Sequence, residues 1–472
     1  MQKSKLFDIC RAIEKAEWRP LLEFASSPYF NKDADVERMG QCLYDIFCSC
    51  VQPMPADTRS LWAQVFPKKA WDAKACSYIM SNTVQLIEKF LGQRQMENAP
   101  LDVQLYQLEA FAYRKLDKSY SRRHKETKAQ WEASPYRDAS WHYAGIWLAE
   151  VEDLHFNLQN IRTANPILAI LDKQYDQYYR IVKTRLHCNL LNQSRTLNLP
   201  TPALSWPSNP LEERDTNPQQ SVYDLYRSLQ ALLQTADASL PLLGDFRKAL
   251  RLIQSQIPKD DLISLYYMAI NYCLIAINKG HREFAGQLLE LYEEGLLTGH
   301  LLVNGELSPW MYKNIVKLGL GLQRFDWTEQ FILQYTDHLP HHQRQDAFCF
   351  NMADLRYHQH HHDEALQFLN QVEFSDASYK HGAKIMLLKI YYELGETEAF
   401  ASLVASYRLM LLREKALPED IRAAYQQFVR LILKLFKIRP HDQLALEKLR
   451  TEIERTKRLN DRSWLMSRVS DR

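Results

Sequence analysis

Histidine is the most concentrated chemical resource of this chain. Seven of the 15 His fall close together: His338, His341, His342, His358, His360, His361 and His362. His358 and His362 are one helical turn apart, a spacing that could turn two imidazoles toward one metal ion. A third ligand would have to be acidic, Asp354 or Asp363, and the helix has reached a turn by then. The reading is an exposed polar turn, with no metal. Glu152-Asp153-Leu154-His155 has the Glu-x-x-His spacing of di-iron bundles. Those sites need a second such pair and two more Glu on neighbouring helices, and no second Glu-x-x-His occurs. Arg114, Lys118, Arg122 and Lys125 form a basic stripe that could follow a phosphate backbone. Asp117 and Glu126 interrupt it, so it reads as a solvated helix face. Cys48 and Cys50, with Cys42 before them, lack the second pair that a zinc site uses, and reduced, mostly buried thiols are expected.

Catalytic signatures are missing. The chain has no Walker loop, no Gly-x-Ser-x-Gly elbow, no His-Glu-x-x-His and no dinucleotide fingerprint. Neither an enzyme nor a cofactor is expected. The formal net charge of +2 on 472 residues does not call for a polyanionic partner. The start lacks the continuous apolar segment of a signal peptide. The longest apolar run, Leu262 to Ile277, is short for a membrane span and is interrupted by Ser264 and Asn271. These features predict a cytoplasmic protein.

The elements that would position any site are helices. Only 13 Gly occur, where average usage would give roughly 33, which disfavours sandwiches and nucleotide-binding loops. Between residues 307 and 408 a period emerges. Gly319, Ala353 and Leu387 are spaced 34 apart, as are Phe331, Ala365 and Ala399. That is the period of the tetratricopeptide repeat, a helix–turn–helix unit. Gly319, Ala353, Ala365 and Ala399 fit the positions where the paired helices approach closely, while Leu387 and Phe331 depart. The usual early Trp is replaced by Ile315, Cys349 and Ala383, so the segment resembles a degenerate array.

In such a repeat the first helix of each pair lines a groove. The residues expected there include Lys313, Gln323, Phe350, Asp354, Tyr357, Lys384 and Tyr391, which form the candidate peptide site. Only Asn351 matches the Lys/Asn/Arg set that holds a peptide carboxylate; Val316, Leu320, His381 and Ile385 do not. The groove is therefore expected to take a helix or extended segment by apolar contact. The plainer alternative is that these side chains pack against the chain's own helices.

In order, residues 1–97 read as an N-terminal helical domain with a break at Pro28, 98–197 as a long-helix segment, 198–218 as a Pro-rich linker or loop, and 219–472 as the repeat array. Residues 101–133 and Gln443 to Met466 each read as one helix. The segments SSPYFN, LWAQVFP and MSNTVQLIEKFL, in that order, resemble the opening of an uncharacterised family of all-helical bacterial proteins of about this length. That resemblance implies an all-helical chain throughout and brings no activity with it. Residues 57–91 also look like the start of a winged-helix module, which gives a second reading as a DNA-binding regulator. Against it, Lys74, Ser77, Ser81, Asn82, Gln85, Glu88 and Lys89 form a nearly neutral face, and no strand pair follows to make a wing. The expectation is thus an all-α protein: a right-handed α-solenoid of antiparallel pairs behind an N-terminal helical domain. It would serve as a non-enzymatic scaffold for an unidentified protein or peptide partner, and its oligomeric state is left open.

Overall fold

A computed structural model describes residues 4–159, 163–200, 221–372, 377–414, 417–439 and 441–471. These form 22 α-helices, and the only extended pairing among them is the isolated bridge between Val303 and Glu306. The bridge closes on Asn304 and Gly305, both at positive φ, as their turn-forming chemistry anticipates. The expected Pro-rich stretch lies, apart from 198–200, outside the described residues. The chain divides into two compact units, Met1–Lys183 and Thr184–Arg472.

In the first unit, capping side chains set where helices begin. Asp57 accepts from the Ser60 amide at 2.8 Å to start Thr58–Val65, and Asp72 accepts from Lys74 and Ala75 to start Ala73–Glu97. Asn31 holds the break at Pro28 by donating to the carbonyls of Ala25 and Asp33. Leu6, Phe7, Trp18, Met39, Leu43, Leu61, Trp62, Ile87 and Phe90 share one core. A second core joins Leu105, Leu108 and Ala112 to Tyr120, Leu148 and Val151.

The single helix expected over 101–133 is instead two, Pro100–Tyr113 and Asp117–Ala133. Lys115 takes φ +53°, and the Leu116 amide closes on the Phe111 carbonyl at 3.0 Å. Neither Gly nor Pro marks this break. It lets Tyr120 fold back onto the core that also contains Leu105 and Leu108.

The same closure recurs in the second unit. Residues at positive φ end the first helix of a pair at Gly280, Gln323, His360 and Gly395. The following amides bond five residues back: His281 to Ala276, Arg324 to Gly319, His361 to Arg356 and Glu396 to Tyr391, at 2.9–3.1 Å. This is a Schellman closure, which satisfies helix-end carbonyls and lets the next helix start two to four residues later. The pairs are Lys259–Asn278 with Phe284–Leu297, Pro309–Gly321 with Phe325–Tyr335, Arg344–His358 with His362–Leu369, and Ala377–Leu394 with Thr397–Arg413.

Close approach within pairs follows the small residues. Ala353 and Ala365 are fully buried, and a side chain at Gly319 would collide with Thr328 Oγ1. Buried charge joins neighbouring helices as well. Arg247 donates to Glu290 at 2.7 Å and Glu294 at 2.5 Å, and Arg356 pairs with Glu329 and Glu364. Among the described residues one helix, Lys259–Asn278, is long and apolar enough to cross a membrane, but Leu265, Ala269, Tyr272 and Cys273 on it are buried in this unit. Gln443 to Met466 is also two helices, Gln443–Arg455 and Arg462–Ser470, separated at a link where Asp461 takes φ +47°.

Candidate functional site

The expected inner residues do not form one continuous surface. Lys313 and Phe350 meet. The Lys313 ammonium lies 5.7 Å from the Phe350 ring centre and 5.6 Å from that of Tyr379, and both rings are buried. Gly382 permits this, because a Cβ there would touch Phe350. Gln323 stands apart as the exposed left-handed residue of a turn. It lies two residues beyond the end of Pro309–Gly321. Asp354 is held by His358, whose Nδ1 lies 3.3 Å from its carboxylate. Burial pulls the His358 imidazole down, but Asp354 outweighs this and leaves its pKa raised. Lys384 is half-buried, and burial with Lys380 nearby lowers its pKa. Tyr391 is half-buried against the core around Phe400 and Phe428.

Tyr357 is the centre of the most complete arrangement. Its hydroxyl donates to Glu393 Oε1 at 2.9 Å. Trp464 Nε1 donates both to the Tyr357 hydroxyl at 2.8 Å and to Glu393 Oε1 at 2.9 Å. Burial, then the Glu393 charge, pushes the Tyr357 phenol far above its usual range, so it remains a donor at any physiological pH. His362 Nε2 lies 3.8 Å from Glu393 Oε2, and Arg468 lies 4.0 Å from Oε1. The Trp464 ring packs edge-on to Tyr392 and tilted on Phe428, with Lys389 5.8 Å from its centre. Lys389 also pairs with Asp461 at 2.8 Å.

A helix distant in sequence, Arg462–Ser470, therefore rests on side chains from Arg344–His358, Ala377–Leu394 and Glu419–Lys437. Sequence reasoning missed Glu393 and Trp464. A signal for Trp464 existed: it is a single indole in a stretch otherwise rich in charge, and an indole N–H in such a place seeks an acceptor.

The other candidates resolve into local contacts. His338 Nδ1 faces the Gly305 carbonyl at 2.9 Å, His361 faces Glu364, and His360 occupies a turn. Among the described residues no three His, Cys, Asp or Glu are grouped to hold a metal ion. Glu152 pairs with His124, while His155, 3.2 Å from Asp117, stacks on Tyr120. Glu152 and His155 thus face different partners, and together they clamp Asp117–Ala133 to Ala139–Leu158. Within the basic stripe, Arg122 is paired with Glu126. Burial pushes the thiols of Cys10, Cys188 and Cys273 up to about 12, too high for a nucleophile at neutral pH. In residues 57–91, Leu61, Trp62 and Phe66 are buried, and Ala73–Glu97 also packs on Lys5–Ala12 and Ala34–Phe47. Its outer face carries the near-neutral set expected, with Glu88 paired to Lys5 at 2.8 Å.

A scan of family models, of curated proteins and of solved structures finds no match to this chain, so the resemblance of its opening segments carries no family assignment.

Proposed function

We propose that residues 219–472 form a right-handed α-solenoid of tetratricopeptide-like antiparallel pairs, acting as a non-enzymatic scaffold that receives a helix of a partner protein. The observation that carries this reading is Trp464. Through it, one helix lies on Tyr357, Tyr392 and Phe428, which belong to three separate helices, Arg344–His358, Ala377–Leu394 and Glu419–Lys437. A face that holds a helix in cis has the shape and the donors to hold one in trans. The repeated closures at Gln323, His360 and Gly395 support the array, because equal turns impose equal pair geometry. We propose a cytoplasmic setting, in keeping with eight cysteines in the thiol form, six of them buried.

The test uses the full chain in its native cells, with a photo-crosslinking residue at Lys313 or Lys384. The expected result is a discrete adduct with one protein. That adduct should be missing when the crosslinker sits at Leu444, which is 68% exposed on another helix of the same unit. No adduct from the first two positions, or the same adducts from all three, refutes the scaffold.

A further inference from the structure

We propose that Tyr357 and Glu393 form a tryptophan-reading socket, and that Trp464 is its resident in a closed state. The partner it fits is an amphipathic helix with an acidic residue at its N-cap, a Trp three positions later and an Arg four positions after that. This rests on the scaffold reading and names the partner's chemistry.

The argument starts from the needs of Glu393. Its side chain is 14% exposed, so its charge must be compensated by nearby donors. Tyr357 and His362 flank it from its own side, and Trp464 and Arg468 complete it from the visiting helix. Lys389, 13% exposed, is neutralised in the same way by Asp461. Trp464 and Arg468 lie one turn apart on the helix, and Asp461 stands at its N-cap, three residues before the Trp. The socket therefore reads three features at once: an acid at Lys389, an indole N–H at Tyr357 and Glu393, and a guanidinium at Glu393.

The resident is built to leave. Its helix has nine residues and places only Leu465 and Val469 fully in the core. The link before it contains Asp461 at φ +47°, a conformation that a non-glycine residue adopts at a cost. Short elements with few buried contacts open before the rest of a fold. A tether this short gives the resident a local concentration on the order of millimolar, so the closed state screens out weak competitors.

The experiment takes a labelled synthetic peptide with the sequence of residues 457–471 and measures its binding to the full chain by fluorescence anisotropy. The Trp464→Ala chain should bind it at least tenfold more tightly than the wild-type chain. The same peptide with Trp464→Ala should not bind, and Tyr357→Phe with Glu393→Gln added to the Trp464→Ala chain should abolish binding. In case Trp464→Ala misfolds, amide exchange is followed in the wild-type chain. Excess peptide should speed exchange across 462–470, and the Trp-less peptide should not. Equal affinity for both chains, or unchanged exchange, overturns the proposal. So does a concentration-dependent dimer of the wild-type chain that Trp464→Ala abolishes, since the occupant would then be a second copy. Adducts at Lys313 without peptide binding leave the scaffold standing and remove the socket. Peptide binding without adducts keeps the latch and removes the scaffold.

Discussion

Replacing Gly319 with Ala tests whether close helix approach organises the second unit. Gly319 sits near the end of Pro309–Gly321, against Phe325–Tyr335. An added Cβ would strike Thr328 Oγ1 and lie 3.4 Å from both Thr328 Cβ and the Trp327 ring. Thr328 cannot give way easily. It is fully buried, stiff at χ1, and its hydroxyl donates to the Arg324 carbonyl at 2.8 Å. Overpacking of this kind costs about 1–3 kcal/mol. Ala in place of Gly within a helix returns about 0.8–1.0 kcal/mol. With a stiff neighbour the upper half of the first range applies, leaving a net loss of about 1–2 kcal/mol. Repeat arrays need not unfold in one step, so the readout should be local: hydrogen exchange of amides in Phe325–Tyr335. The loss corresponds to a fall in protection of about 5- to 30-fold. Adding Thr328→Ala removes the colliding atom and should restore most of it, giving a coupling of about 1–2 kcal/mol in the double-mutant cycle. Protection that is unchanged or improved by Gly319→Ala alone would refute the close-approach reasoning.

Two further outcomes are expected. His381 is fully buried; its Nδ1 faces the Tyr407 hydroxyl, its ring stacks on Tyr425, and its Nε2 lies 3.9 Å from Glu414 without a hydrogen bond. Burial lowers its pKa, Glu414 opposes this, and Lys380 adds to it. The unfolded chain therefore binds the proton more readily. This site's contribution is fully present above the unfolded value of about 6.5 and is lost as pH falls below it. His381→Gln should flatten the stability decline between about pH 6.5 and 5, measured as urea midpoint against pH; a difference curve with no pH dependence contradicts the assignment. The second outcome concerns residues 57–91. With a near-neutral outer face, the full chain should not retain random duplex DNA even at low salt. A mobility shift abolished by Lys74→Glu with Lys89→Glu would revive the nucleic-acid reading.

Local chemistry was legible in the sequence where local chemistry decides structure. Pro28, Asp57 and Asn304-Gly305 each mark a boundary that the fold uses, because a missing N–H, a capping carboxylate or a tolerated positive φ acts within a few residues. The helix breaks at Lys115 and between Thr456 and Asp461 were not legible. Lys and Asp there pay for a left-handed backbone, and the compensation comes from burial of Tyr120 in one case and of Leu465 and Val469 in the other. That energy depends on residues far along the chain, so no local pattern announces it. The site shows the same division. The 34-residue phase pointed to Tyr357, but its partner Trp464 is 107 residues away, and periodicity carries no information about which helix returns to cover a face.

The surroundings of Lys313 and of Tyr357 differ in a way that bears on the proposed exchange. Around Lys313, Phe350 and Tyr379 the rings are buried and Gly382 lets the helices close tightly, so the gaps are filled by side chains of these helices themselves. A side chain entering between those rings would have to displace core side chains, each worth about 1.5–3 kcal/mol of burial, so a partner helix would lie across Lys313 rather than insert there. Around Tyr357 and Glu393 the filling comes from the short helix Arg462–Ser470, through hydrogen bonds and ion pairs. Any helix with the same donors can reproduce those contacts, so replacing one occupant with another strands no buried charge. Exchange is therefore cheaper around Tyr357, although the surroundings of Lys313 are the more aromatic of the two.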